Sequence, residues 1–303
     1  MKAEKFASVY KVFSVGFVCV LSACATASTV KSSGAPAQAS LPEPKLEIID
    51  AHTHAKFGGG KERSSGIEMT EARYFQDWKE AGVVGAVAHV SRTGKDFHPS
   101  ARSKNVIFCA GSPAKPDFQA IEKGLKDKSY GCIKVYLGYV HQFASDPKYR
   151  PLYELARKYK VPVVFHTGDT YDIDGKLKYA DPLTLDEIAV DYRDVNFVIA
   201  HLGNPWIQSA AEVAYKNPNV YVEVSALMVG DMDELPPEKV DEFVVKPVAW
   251  AFGYIENPKK LMFGTDWPIT RIEPYVRAVK KAVPREHWQA VFHDNAKQVF
   301  GFK

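Results

Sequence analysis

From Leu46 onward, short apolar runs rich in β-branched residues alternate with segments patterned at helical spacing. The runs at 46–52, 83–89, 105–110, 131–136, 161–166, 196–201, 219–225 and 261–266 predict strands. Their nearly continuous apolar character implies cover on both faces, hence a parallel sheet. Between them, 70–81, 116–127, 148–160, 184–192, 207–216 and 238–255 predict helices; Leu152, Leu155 and Tyr159 line one face of 148–160. Two more helical segments, 273–283 and 285–300, follow the last strand. Eight strands separated by helices define the α/β class and, within it, a (β/α)8 TIM barrel of about 250 residues, which fits 46–303. A doubly wound sheet would carry a glycine-rich turn after its first strand. Here that strand runs into His52-Thr53-His54, and Gly58-Gly59-Gly60 precedes no phosphate-cradling helix and reads as a loop.

The first 45 residues follow different rules. Residues 1–11 hold three lysines, and Val12–Ala23 is an uncharged, mostly apolar run. That run is too short to span a bilayer but suits the core of an export signal over residues 1–23. It closes on Leu21-Ser22-Ala23-Cys24, which resembles the lipobox of bacterial lipoproteins. The resemblance implies that Cys24 becomes the first mature residue and takes a lipid, giving a membrane anchor. Ala25 after the cysteine implies the outer membrane, facing the periplasm or the cell exterior; an ordinary cleaved signal is the alternative. Residues 24–45, rich in Ala, Ser and Pro and without aromatics, cannot bury enough apolar surface to fold and read as a flexible linker.

Composition narrows the function. The chain has 303 residues, 46% hydrophobic and 25% charged, the balance of a globular protein with a sizeable core. Net charge is +3 and drops to +1 without residues 1–23, which carry Lys2, Lys5, Lys11 and Glu4. A nearly neutral body has no field for phosphate backbones, so no nucleic-acid partner is expected. Beyond Cys19 and Cys24 only Cys109 and Cys132 remain. Both sit in apolar strand-like runs where buried free thiols are common; an oxidising compartment would equally allow them to pair.

Chemistry in a barrel sits at the C-terminal ends of strands. Five of the nine histidines fall there: His52, His54, His89, His166 and His201, joined by Asp266. His52 and His54 are two apart, so an extended strand points both to one face. Imidazoles and a carboxylate converging from distant strands suit Zn²⁺ or Mn²⁺ and leave room for a water.

Together these motifs resemble the amidohydrolase superfamily, and more narrowly its amidohydrolase-related branch, which includes aminocarboxymuconate-semialdehyde decarboxylase. The matching pieces are Ile49-Asp50-Ala51-His52-Thr53-His54, Val164-Phe165-His166, Ile199-Ala200-His201-Leu202-Gly203, Phe263-Gly264-Thr265-Asp266-Trp267-Pro268 and the closing Asp294-Asn295-Ala296 with Phe300-Gly301. The resemblance implies that His52, His54, His166 and Asp266 hold a divalent ion, with Asp266 also orienting or deprotonating its water. His201 would be either a second-metal ligand or a catalytic histidine that polarises substrate. Lys134 would be either a carboxylated bridge between two ions or a lysine paired with a carboxylate; one ion is the expectation, Zn²⁺ before Mn²⁺. His89, Tyr136 and Arg271 are candidate substrate contacts, and Asp169 is a further charge near the site. His98 and His141 occupy loops on the same face, and Trp267 is expected to shape the pocket wall. Asp50 is expected to hydrogen-bond within the barrel, and His287 and His293, in the closing helical segment, to be surface or packing residues.

The expected activity is metal-dependent hydrolysis of an amide, ester or lactone in a small molecule, since a bound divalent ion lowers the pKa of water from 15.7 to roughly 7. A decarboxylase on the same scaffold is the nearest alternative, favoured by a basic pocket. A barrel that only binds a metal or ligand is the alternative from another class. Oligomeric state is not encoded in any of these features.

Overall fold

Eight parallel strands run in chain order around one sheet: β1 (Ile48–Thr53), β2 (Val83–His89), β3 (Val106–Ser112), β4 (Cys132–Val135), β5 (Val163–Phe165), β6 (Phe197–Ile199), β7 (Val220–Glu223) and β8 (Leu261–Met262). The structure is a computed structural model and describes residues 46–90, 101 and 103–303. The export signal, the linker, Cys24 and His98 lie outside the described residues. Backbone bonds join the ends of β1 and β8, Ala51 N to Phe263 O at 2.9 Å and Asp266 N to His52 O at 2.7 Å, and the sheet closes as the (β/α)8 barrel expected.

Alternation along each strand divides the core in two. Ile49, Val87, Cys109, Cys132, Val164, Val198 and Met262 point inward and pack on one another, with Val299, Phe300 and Phe302 of the C-terminal segment against them. Their neighbours Ile48, Ala86, Phe108, Ile133, Phe165, Phe197 and Val222 point outward, under the helices. Because neither face meets water, the strands read as apolar throughout.

The helices are α1 (Glu71–Ala81), α2 (Phe118–Lys126), α3 (Arg150–Tyr159), α4 (Asp186–Asp191), α5 (Ile207–Lys216), α6 (Lys246–Ile255), α7 (Ile272–Ala282) and α8 (Asn295–Phe300). Thr70 starts α1 by accepting a hydrogen bond from Arg73 N, and Gly82, at φ 79°, ends it one residue before β2. The segment 238–255 is one helical stretch in which a π turn, Asp241–Val245, leads into α6.

Two features depart from the simplest reading of the pattern. Cys109 and Cys132 are directly paired across β3 and β4, both fully buried inside the barrel with Cα atoms 4.3 Å apart, and they form a disulfide rather than free thiols. Strands β5, β6 and β8 are also shorter than predicted. The chain leaves the sheet before its polar end residues: His201 sits at φ 58° in a turn, and Asp266, at φ 60°, lies four residues beyond β8. A non-glycine residue in the left-handed region is unfavourable in itself. Here it accompanies two side chains turned into the barrel mouth.

Candidate metal centre

His52, His54 and Asp266 meet at the C-terminal mouth. His52 Nε2 lies 3.5 Å and His54 Nε2 3.2 Å from the same oxygen, Asp266 Oδ1. That oxygen is buried and has no hydrogen-bond partner of acceptable geometry despite these contacts. Donors about 2.1 Å from one tetrahedral ion would be about 3.4 Å apart, so the spacing fits ligands converging on a shared cation.

Each histidine has its other nitrogen committed. His52 Nδ1 donates to Glu223 Oε1 at 2.7 Å, and His54 Nδ1 donates to the carbonyl of His89 at 2.8 Å. These bonds fix the tautomers that leave both Nε2 lone pairs facing Asp266. Burial, with the neighbouring His89, Lys134 and His201, holds His52 well below the usual imidazole range, so it is neutral. Burial also pulls His54 down, but contact with Asp266 outweighs it and the net shift is upward. Burial opposes ionisation of Asp266, yet His54, His201 and Lys134 keep the carboxylate below its ordinary value.

Glu223 is the residue the sequence reading passed over. Its only signal was a lone carboxylate in the apolar run 219–225. Fully buried, it accepts from His52 Nδ1, from the His201 backbone N–H at 2.9 Å and from the Ser225 N–H at 2.7 Å. His52, His201 and Glu223 make a second cluster with metal-like spacing among the described residues, but both Glu223 oxygens are already occupied by N–H donors. Through the Nδ1 bond Glu223 orients His52. Gly264 lets it sit there, since a Cβ would come within 2.9 Å of Glu223 Oε2 and 3.0 Å of His52 Cβ.

His166, the expected third ligand from the fifth strand, is not one of the metal-spaced group His52–His54–Asp266. Its Nδ1 faces His201 Nε2 at 3.1 Å, and its Nε2 lies 2.8 Å from the carbonyl of Asp169. A carbonyl only accepts, so His166 Nε2 carries the proton and Nδ1 is bare. His201 Nε2 then donates to it, while His201 Nδ1 accepts from Ser225 Oγ at 2.8 Å. Burial keeps both rings neutral, driving His201 down to about 4 and His166 well below its ordinary value.

The remaining candidates separate cleanly. Tyr136 lines the cavity above the cluster, as do His166, His201 and Asp169. Lys134 is fully buried with no hydrogen bond to Nζ; burial lowers its pKa, and the charges of Glu223 and Asp266 oppose that shift. His89 lies underneath, its ring 4.0 Å from that of His52, and does not reach the cavity wall. Arg271 is turned away from the cavity and pairs with Asp231 at 2.6 Å and Glu80 at 3.7 Å. Trp267, expected at the pocket wall, is instead fully buried, packed on Tyr74 of α1 at 4.5 Å with its indole N–H toward Asp77. His141 bonds the Asp174 carbonyl outside the cavity. Asp50 hydrogen-bonds within the barrel to Thr265 Oγ1 and to two backbone N–H groups; burial pushes it up to about 7 against those bonds.

The cavity holds about 460 Å³. Its walls are largely aromatic and aliphatic, with Glu62, Ser64, Thr167 and Asn204 interspersed.

A closed barrel with histidines and an aspartate gathered at its C-terminal mouth defines a metal-dependent enzyme scaffold of the amidohydrolase kind. Residues 49–302 match the amidohydrolase family, and the chain belongs to it. Members of that superfamily bind divalent metal and include hydrolases and decarboxylases. No curated protein matches the chain. Among solved structures, a probable 2-pyrone-4,6-dicarboxylic acid hydrolase from Acinetobacter baumannii with citric acid bound is similar at 17% identity and TM-score 0.63, over 84% of this chain and 99% of that one. A zinc-bound amidohydrolase from Burkholderia multivorans is similar at 14% and 0.62, over 84% and 99%. A 5-carboxyvanillate decarboxylase from Sphingomonas paucimobilis is similar at 10% and 0.59, over 86% and 99%.

Proposed function

We propose that the protein is an exported metal-dependent hydrolase that cleaves an ester, lactone or amide bond in a small molecule, with one divalent ion, zinc before manganese, held by His52, His54 and Asp266. The observation that carries this reading is the convergence of two imidazole Nε2 atoms, from His52 and His54, on one buried carboxylate oxygen of Asp266, at 3.5 and 3.2 Å. A divalent ion bound there supplies a Lewis acid that brings the pKa of water to about 7 and polarises a carbonyl. The chain's own groups do the rest. Asp266 takes the proton of the attacking water and passes it to the leaving group. His201, whose Nδ1 accepts from Ser225 Oγ, carries an Nε2–H that rests on His166 Nδ1 and would turn from it to hydrogen-bond the oxygen on which charge develops. Glu223 keeps His52 in the ligating tautomer.

In the decarboxylase alternative the metal ion itself would hold the substrate carboxylate, and a basic pocket would assist it. Among the described residues no Lys or Arg lines the cavity, because Arg271 is paired elsewhere and Lys134 lies beneath the floor. That favours hydrolysis. The test is product analysis on metal-loaded protein over uncharged esters, lactones and amides, and over carboxylated phenols. Acid plus alcohol or amine is expected; carbon dioxide release, or no turnover in any class, would overturn the reading. Intact mass reads Lys134 directly: the one-ion account expects no increment of one carbon dioxide.

Export rests on residues 1–23 and the Leu21-Ser22-Ala23-Cys24 motif, and the buried Cys109–Cys132 disulfide supports an oxidising compartment. Lipid attachment at Cys24 with outer-membrane residence is the corresponding proposal. Fractionation of cells expressing wild type and Cys24→Ala tests it: the variant should leave the membrane fraction, and an unchanged distribution would refute anchoring there.

A further inference from the structure

Resting on the hydrolase reading above, we infer that this cavity selects substrates whose group beside the scissile bond is apolar and uncharged, and that Glu62 and Asp169 turn carboxylates away. Tyr136, Tyr139, Tyr171, Leu227, Val229 and Ile269 give the wall an aromatic and aliphatic lining. Tyr136 stacks with His166 at 6.1 Å, and Tyr139 meets the same imidazole edge-on at 4.9 Å, so an aromatic surface begins immediately beside the metal cluster. The surface continues outward. Tyr171 lines the cavity while 82% exposed and Val229 while 43% exposed. Apolar side chains left open at the mouth of a site are the contact an extended apolar substrate group would cover.

The charges in the wall point the same way. Besides the metal cluster and the tyrosines, the ionisable groups on the cavity surface among the described residues are His166, His201, Glu62 and Asp169. Burial keeps both imidazoles neutral, leaving two carboxylates and, among the described residues, no lysine or arginine. A divalent ion with Asp266 leaves one positive charge at the cluster, and Glu62 and Asp169 outnumber it on the outer wall, where they repel an incoming anion. Such a lining is ill-suited to the dicarboxylic and carboxyvanillate compounds that two of the structural neighbours are named for. Selection against a competing charge by placing like charge in the wall is an ordinary route to specificity.

The test uses two ligands with the same metal-binding head, benzohydroxamic acid and 4-carboxybenzohydroxamic acid, titrated calorimetrically into the zinc-loaded full chain. Wild type should bind the uncharged ligand about ten-fold more tightly, and Glu62→Gln or Asp169→Asn should each narrow the gap roughly three-fold, the size expected for one charge across a partly wet cavity. Circular dichroism of both variants, whose changes are partly or fully exposed, confirms the fold. Equal or tighter binding of the carboxylated ligand, no measurable binding of either, or a gap unmoved by both substitutions would overturn the proposal. The ligand order does not depend on turnover. A protein that prefers the uncharged hydroxamate but hydrolyses nothing would refute the hydrolase reading while leaving the selectivity in place.

Discussion

Glu223→Gln is the substitution that separates orientation from ligation. The native carboxylate accepts three N–H donors: His52 Nδ1 and the His201 N–H on Oε1, and the Ser225 N–H on Oε2. Glutamine has one acceptor oxygen, and placing it where Oε1 stood turns its NH₂ toward the Ser225 N–H. One buried donor is then stranded, at about 1–3 kcal/mol of folding stability. The charge that strengthens His52 as a ligand is lost as well. Comparable changes behind metal-bound histidines weaken metal affinity by about 10- to 100-fold, or about 1.4–2.7 kcal/mol. The assay is zinc competition against a chromogenic chelator, with urea unfolding of the metal-free protein measured in parallel. The expected result is both losses, with circular dichroism preserved. Unchanged zinc affinity would refute the argument that Glu223 sets the His52 tautomer. Complete loss of zinc binding would instead make Glu223 a ligand.

Zinc affinity should fall by roughly ten-fold per pH unit below 6.5, because Asp266 holds the proton affinity of His54 above its ordinary value and that proton competes with the ion. A flat affinity between pH 7 and 5 would remove His54 from the ligand set. Replacing Cys109 and Cys132 together with alanine opens a link spanning 23 residues and should cost about 3 kcal/mol in denaturant unfolding; no change would mean the thiols are unpaired in solution. Lys260→Met should lower stability by about 1–3 kcal/mol without altering zinc affinity. Its ammonium caps the carbonyls of Asn217, Pro218 and Val220 at the N-terminal ends of β7 and β8, opposite the mouth, and a tolerant variant would show those carbonyls to be solvated instead.

The barrel was legible because burial on both strand faces leaves a simple trace, an apolar run, and eight such traces at regular intervals admit few architectures. His52, His54 and Asp266 were legible for a related reason: polar groups ending apolar runs have few uses except at a mouth. Three features were not. Glu223 lies inside a run whose neighbours are apolar, and only the distance to His52 reveals its task. Arg271 and Trp267 follow Asp266 in sequence, yet the backbone turn at Asp266 sends them away from the cavity, to Asp231 and to the layer beneath α1. Pairing of Cys109 with Cys132 needed the register of β3 against β4, which no composition encodes. His166 was read from its strand correctly, but its partner in the structure is the imidazole of His201.

The central assertion is that one cation sits among His52 Nε2, His54 Nε2 and Asp266 Oδ1. Anomalous diffraction at the zinc edge from crystals of zinc-loaded protein addresses it most directly. A single peak about 2.0–2.2 Å from those three atoms is the predicted result. A peak held by Glu223 and His201 instead, or no peak at the barrel mouth, would contradict it.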